Sequence, residues 1–158
     1  MTSESASEVL RHVEYGVYIL TAADEERING MPLSLFCQVS FSPLLVMAGV
    51  SPKRLSHSMI ESSGGFGIIF LRKDQSELVD RFKLKGGDPG LKFGGLSWHK
   101  GRTGAPILDD CLGYLDCRLA GAYRPGDHTL FLGEVVHSEM KSQGSLLLIS
   151  DLGKYYAG

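Results

Sequence analysis

Cysteine is scarce in this chain. The three residues Cys37, Cys111 and Cys117 form no CxxC pair, which excludes a disulfide framework and a paired-cysteine zinc site. They read instead as small buried hydrophobes. Long apolar runs are also missing: the longest, residues 44–50, falls far short of the roughly 20 residues that a membrane-spanning helix requires. The polar start MTSESASEV lacks the basic and apolar segments of a secretion signal, so a cytoplasmic protein away from membranes is expected. There is no excess of basic charge, with 16 Lys and Arg against 18 Asp and Glu. This leaves no field to hold a nucleic acid. Several chemical signatures are absent as well. No GxGxxG follows a strand, no P-loop spacing occurs, and neither GxSxG nor HExxH is present. The five histidines (12, 57, 99, 128 and 137) are scattered without metal-ligand spacing, so no metal is expected.

What remains is an ordinary globular composition, 43% hydrophobic and 22% charged, in 158 residues, which predicts one domain over residues 1–158. Twenty glycines and six prolines favour turns and strands over long helices. Ser5 and Glu8 form a capping-box pattern that predicts a helix over 5–13. Residues 15–21 read as a strand, followed by a charged hairpin turn ending in Asn29-Gly30 and a new strand from about Met31. Segments 34–40 and 44–50 are further strands split by Ser42-Pro43. Ser51 and Pro52 then suit the start of a helix that stops at Gly64. A strand over 65–71 and a helix over 74–83 follow. The Gly-rich stretch 86–106 carries the only tryptophan, Trp98, and predicts a long loop lining a site. Strands over 112–123, 129–138 and 146–149 close the chain. The pattern lacks regular βα alternation, so it predicts an antiparallel barrel with helices outside.

One local feature points to chemistry. The turn from strand to helix at Ser51 places Lys53, Arg54, Ser56 and His57 at a helix N-terminus, where free N–H groups and the helix dipole favour an anion such as phosphate. Basic residues at a helix start oppose the dipole, a small cost for which a bound anion would be a reason.

The segment Asn29-Gly30-Met31-Pro32-Leu33-Ser34-Leu35-Phe36-Cys37-Gln38-Val39-Ser40-Phe41-Ser42-Pro43 resembles the signature of the flavin reductase-like family with the FMN-binding split barrel. Ser63-Gly64-Gly65-Phe66, Asp74-Gln75, Arg81-Phe82 and Gly104-Ala105-Pro106-Ile107-Leu108 resemble its middle blocks. Leu115-Asp116-Cys117-Arg118 and Gly126-Asp127-His128-Thr129-Leu130-Phe131-Leu132-Gly133-Glu134-Val135 resemble its last ones, in order. The resemblance implies a mainly β fold with short helices, a six-stranded antiparallel split barrel, paired as a homodimer. It further implies FMN, or FAD, as the flavin and NADH or NADPH as hydride donor to flavin N5. By position, Ser34, Leu35, Phe36, Cys37, Gln38 and Ser40 are implied to border the flavin ring and ribityl chain. Ser51, Lys53, Arg54, Ser56 and His57 are implied to surround the flavin phosphate, and His128 to lie at the nicotinamide face. Pro32 and Leu35 stand where the family usually has hydroxyl residues, and Ile69 where an asparagine often occurs. The implied activity is an NAD(P)H-dependent flavin reductase, alone or serving a partner oxygenase. The alternative is an FMN-containing electron-transfer flavoprotein serving a rubredoxin or diiron-type protein, or a flavin-binding module without redox turnover.

Overall fold

The computed structural model describes residues 4–84 and 88–155. It opens with a short exposed helix, α1 (Glu4–Leu10). Strands β1 (Tyr18–Ala23) and β2 (Ile28–Leu33) form an antiparallel hairpin, from Tyr18 opposite Leu33 to Ala23 opposite Ile28. The hairpin turns earlier than Asn29-Gly30 suggests. Asp24 Oδ1 accepts hydrogen bonds from the backbone N–H groups of Glu26 (3.0 Å) and Arg27 (2.8 Å), which closes the turn at once. Asn29 and Gly30 therefore lie inside β2. A Cβ on Gly30 would come within 2.7 Å of the Phe82 ring, so close packing rather than turning requires glycine there.

Strands β3 (Phe36–Ser40) and β4 (Leu45–Val50) form a second hairpin, and β4 runs into helix α2 (Leu55–Ser63). Gly64, in the left-handed conformation, ends α2 and returns the chain to β5 (Gly65–Phe70). The helix expected over 74–83 divides into a 3₁₀ turn (Lys73–Gln75) and α3 (Glu77–Phe82). The cause is Gln75, whose Oε1 accepts from Arg72 N (3.1 Å) while its Nε2 donates to Asp110 O (2.9 Å). The stretch expected as a long loop contains helix α4 (Pro89–Phe93) and a hairpin of β6 (Trp98–Lys100) and β7 (Pro106–Leu108).

Two long strands, β8 (Gly113–Tyr123) and β9 (Thr129–Met140), complete the sheet. The segment expected as a final strand makes single bridges, Gly16 to Leu148 and Arg72 to Leu146, and then a 3₁₀ turn (Ile149–Leu152). Asp151 Oδ2 takes the Leu148 N–H at 2.9 Å, which competes with ladder pairing there.

The fold is mainly β with short helices. Its main sheet holds seven antiparallel strands in the order β2-β1-β5-β8-β9-β4-β3, one more than the six expected. Central strands are buried on both faces. Along β1 and β5, Ile19 and Ile69 enter one hydrophobic cluster with Phe82, Phe93 and Ile107, while Leu20 and Ile68 enter the other with Met59, Phe66 and Phe131. Of the cysteines, Cys111 and Cys117 are buried, but Cys37 is exposed on the edge strand β3. No described helix is long and apolar enough to cross a membrane.

Candidate functional site

One end of the sheet gathers the predicted basic turn into a groove of about 670 Å³, within the range of small-molecule sites. The register explains how. Val50 at the end of β4 pairs with Thr129 at the start of β9, so Ser51 and His128 leave the sheet side by side, and both line the groove. Lys53, Arg54 and Ser56 line it from the start of α2, and Asn29 and Met31 from β2. Phe82, Lys83 and Leu84 close one side from the end of α3, and Lys92 reaches in from α4. Helix α2 begins at Leu55 with Arg54 as its N-cap, later than the Ser51-Pro52 start expected. The residues 51–54 form a turn instead, in which Ser51 O accepts from Arg54 N at 3.0 Å and Ser51 Oγ from Lys53 N at 3.3 Å. No side chain caps α2, so its first turn meets the groove with basic neighbours and no side-chain acceptor.

The groove's lining carries charge of one sign. Lys53, Arg54, Lys83 and Lys92 line it and no acidic residue among the described ones does, although Lys83 pairs with Asp80 at 3.3 Å just outside it. Lys92 is only 5% exposed, and its Nζ donates to Asn29 Oδ1 and Gly30 O, each at 2.9 Å. Burial, and then the positive charge of Arg54, hold its pKa below the usual lysine value. Asn29 in turn donates from Nδ2 to Ser56 Oγ at 3.0 Å. His128 Nδ1 meets Asp127 Oδ1 at 2.8 Å, a contact that holds the Asp127 carboxyl below its ordinary pKa. A second cleft, between the β1–β2 turn and residues 100–104, is similar in size, but acidic as well as basic residues line it, and Asp24 pairs with Arg27 at 2.7 Å.

The predicted residues separate into three places. Ser51, Lys53, Arg54, Ser56 and His128 meet in the groove. His57 points the other way: Nε2 lies 2.7 Å from Thr129 Oγ1, its ring packs 4.9 Å from that of Phe131, and Glu61 stands 3.6 Å from Nδ1. Ser34, Leu35, Phe36, Cys37, Gln38 and Ser40 lie along β3 and the turn before it, outside the groove lining. Leu35 packs over Gly49 and its carbonyl accepts from Gly49 N at 2.8 Å. Phe36 joins an aromatic trio with Tyr18 and Phe70, and Cys37 and Gln38 are exposed. Trp98 packs its ring 5.9 Å from Phe93. Tyr155 lies under the Arg11 guanidinium, and Tyr156 lies outside the described residues.

Sequence reasoning missed Lys92 and Asn29. Asp88-Pro89 was the available signal, because Asp88 Oδ1 accepts from Gly90 N at 2.9 Å and proline occupies the start of α4. That single turn seats Phe93 in the core and Lys92 beside Asn29. Arg81 anchors it from α3 by donating to Lys92 O (2.7 Å) and to Gly94 O.

The fold is that of a flavin-binding protein class, as the known proteins show. The chain matches the flavin reductase like domain over residues 10–157 and belongs to that family. It is 32% identical over 141 residues to a flavin reductase of Pseudomonas putida, covering 89% of this chain and 81% of that protein. It is 29% identical over 140 residues to the high molecular weight rubredoxin of Moorella thermoacetica, covering 87% of this chain but 61% of that longer protein. A solved structure of the NADH:FAD oxidoreductase of Streptomyces globisporus, in complex with NAD and FAD fragments, superposes with a TM-score of 0.82 at 27% identity. It covers 95% of this chain and 88% of that one.

Proposed function

We propose that this protein is an NAD(P)H-dependent flavin reductase that holds FMN, or FAD, with its phosphate in the groove between α2, β2 and α4. The observation that carries this reading is the convergence of Lys53, Arg54 and the Ser51 and Ser56 hydroxyls on one groove, with the Lys92 charge behind them and no acidic lining residue among the described residues. That donor set fits a phosphate. A bound flavin would supply the hydride-accepting chemistry, and the protein's own task is to bind and orient it. Arg54 and Lys53 would neutralise the phosphate at the exposed rim, and Ser51 and Ser56 would donate to its oxygens. His128, oriented by Asp127 through Nδ1, would present Nε2 toward the nicotinamide or the flavin chain. Ser34 to Ser40 on β3 would border the ring from the other side.

In this reading the seven-stranded sheet curls into a split barrel, consistent with the close approach of β2 to β4, which are not neighbours in the hydrogen-bonded order. Two copies would pair through the β3–β4 hairpin, where Phe41 is 88% exposed and Val39 and Leu44 are exposed beside it. The three free thiols suit a reducing compartment such as the cytoplasm. Reduced flavin would pass to a partner oxygenase or another acceptor.

The test is spectroscopic. Protein titrated with FMN should show flavin bands that bleach anaerobically with NADH or NADPH, and Arg54→Ala should weaken FMN binding about tenfold while barely altering riboflavin binding. Equal losses for both flavins would remove the phosphate assignment. Bands that persist with both nicotinamides but bleach with dithionite would instead favour an electron-transfer flavoprotein, the reading to which the rubredoxin relative lends support.

A further inference from the structure

We propose that Lys92 and Asn29 form a buried positioning relay that fixes the Ser56 hydroxyl as a hydrogen-bond donor to a phosphate monoester in the groove. This inference rests on the anion reading of the groove and goes further by assigning work to two residues that do not themselves hold the ligand.

The logic follows from what each group can do. An ammonium only donates, so the Asn29 atom 2.9 Å from Lys92 Nζ is the amide oxygen. The other end of Asn29 is then its NH₂ group, and it lies 3.0 Å from Ser56 Oγ. Ser56 Oγ must accept that bond, so its own proton points elsewhere. No hydrogen bond from that hydroxyl to a described residue is present, although Ser56 is fully buried within the fold and lines the groove. The hydroxyl proton therefore has one useful direction, into the groove. Lys92 spends two of its three protons on Asn29 Oδ1 and Gly30 O, both uncharged acceptors, and no carboxylate neutralises it. Its charge thus acts along the chain Lys92, Asn29, Ser56 toward the same point. Without Lys92, the Asn29 amide could turn over, its oxygen would accept the Ser56 proton, and the groove would lose a donor.

Asn29→Asp inverts this relay with almost no change in shape. Both carboxylate oxygens accept, so Ser56 would donate to residue 29 and turn away from the groove, and Lys92 would gain a counter-ion. Binding of FMN and of riboflavin to the full chain is measured by quenching of flavin fluorescence, with folding checked by circular dichroism. The expected result for Asn29→Asp is a loss of FMN affinity of about tenfold or more, with riboflavin affinity changed less than about twofold. Ser56→Ala should show the same FMN-selective loss at smaller size, and should add little in the Asn29→Asp background, because the hydroxyl is already turned away. Wild-type FMN affinity in Asn29→Asp would overturn the relay. If that variant does not fold, Ser56→Ala decides alone, and unchanged FMN affinity in it overturns the relay. The anion reading itself would stand through such failures so long as Arg54→Ala still lowers FMN binding selectively. It would fall separately if Arg54→Ala lost that selectivity.

Discussion

Two cations tucked into this fold are treated in opposite ways. Arg72, at the end of β5, donates to Asp110 Oδ1 (2.8 Å), Asp74 Oδ1 (3.0 Å) and Ser142 Oγ (3.0 Å). The hydrogen bonds to Asp110 and then Asp74 raise its pKa, so its charge is answered within the protein, and the side chain ties three segments together. Lys92 is more deeply buried yet meets only two neutral oxygens, and its pKa is lowered by burial and by Arg54. A desolvated charge without a counter-ion costs stability and gives none back until an anion arrives. The first arrangement is that of a structural clamp. The second is that of a site, which is how the difference locates function without reference to any catalytic motif.

The widest separation between the two should appear on truncating the clamp. Arg72→Ala removes three hydrogen bonds, two of them to carboxylates, and should lower folding stability by roughly 2–3 kcal/mol while leaving FMN affinity unchanged. Urea unfolding and an FMN titration on the same variant check both halves. An FMN affinity that fell with stability would mean that the clamp and the groove are coupled, and the contrast would break.

Lys92→Met should give the reverse profile, with FMN affinity about tenfold weaker and riboflavin nearly unaffected. Its stability change should be smaller than that of Arg72→Ala, about 1 kcal/mol, because Asn29 Oδ1 and Gly30 O lose their donor while a buried uncompensated charge is also removed. A collapse in stability with no flavin-specific effect would make Lys92 a structural residue after all.

The parts of this contrast differed in how far they could be read from sequence. The strands carrying the core were legible because β1 and β5 alternate or run apolar, as did the basic turn after β4. The family resemblance rested on blocks spread over most of the chain. Asn29 was misplaced in a turn, because the acceptor that closes the hairpin, Asp24, lies five residues earlier and acts through its side chain. Lys92 was hidden in a glycine-rich stretch whose one helical turn is held by Arg81 from another element. His57 went astray for a simpler reason. Successive helical residues point about 100° apart, a step that here turns His57 out of the groove that Leu55 and Ser56 line. Ser56 takes the Asn29 side and His57 the Thr129 side.

That division gives the smallest effect, and it is read through pH. Burial depresses the His57 pKa; Glu61 raises it and Arg124 lowers it, so the net direction is down. The ring is then neutral in the fold where the unfolded chain, titrating near the ordinary value of about 6.5, is already taking up protons. Between the folded and unfolded values the unfolded state binds more protons, so this contribution to stability is fully present above about pH 6.5 and is lost as pH falls through the folded value. His57→Gln keeps a polar partner for Thr129 but cannot titrate. The stability gap between wild type and His57→Gln should therefore narrow on going from neutral pH to about pH 5, with other titrating groups cancelling in the difference. The ratio of FMN to riboflavin affinity should stay at the wild-type value in His57→Gln. A falling ratio would place the imidazole against the phosphate and put it in the same class as Lys92, whereas a constant one leaves His57 with Arg72 among the groups whose partners all lie inside the protein.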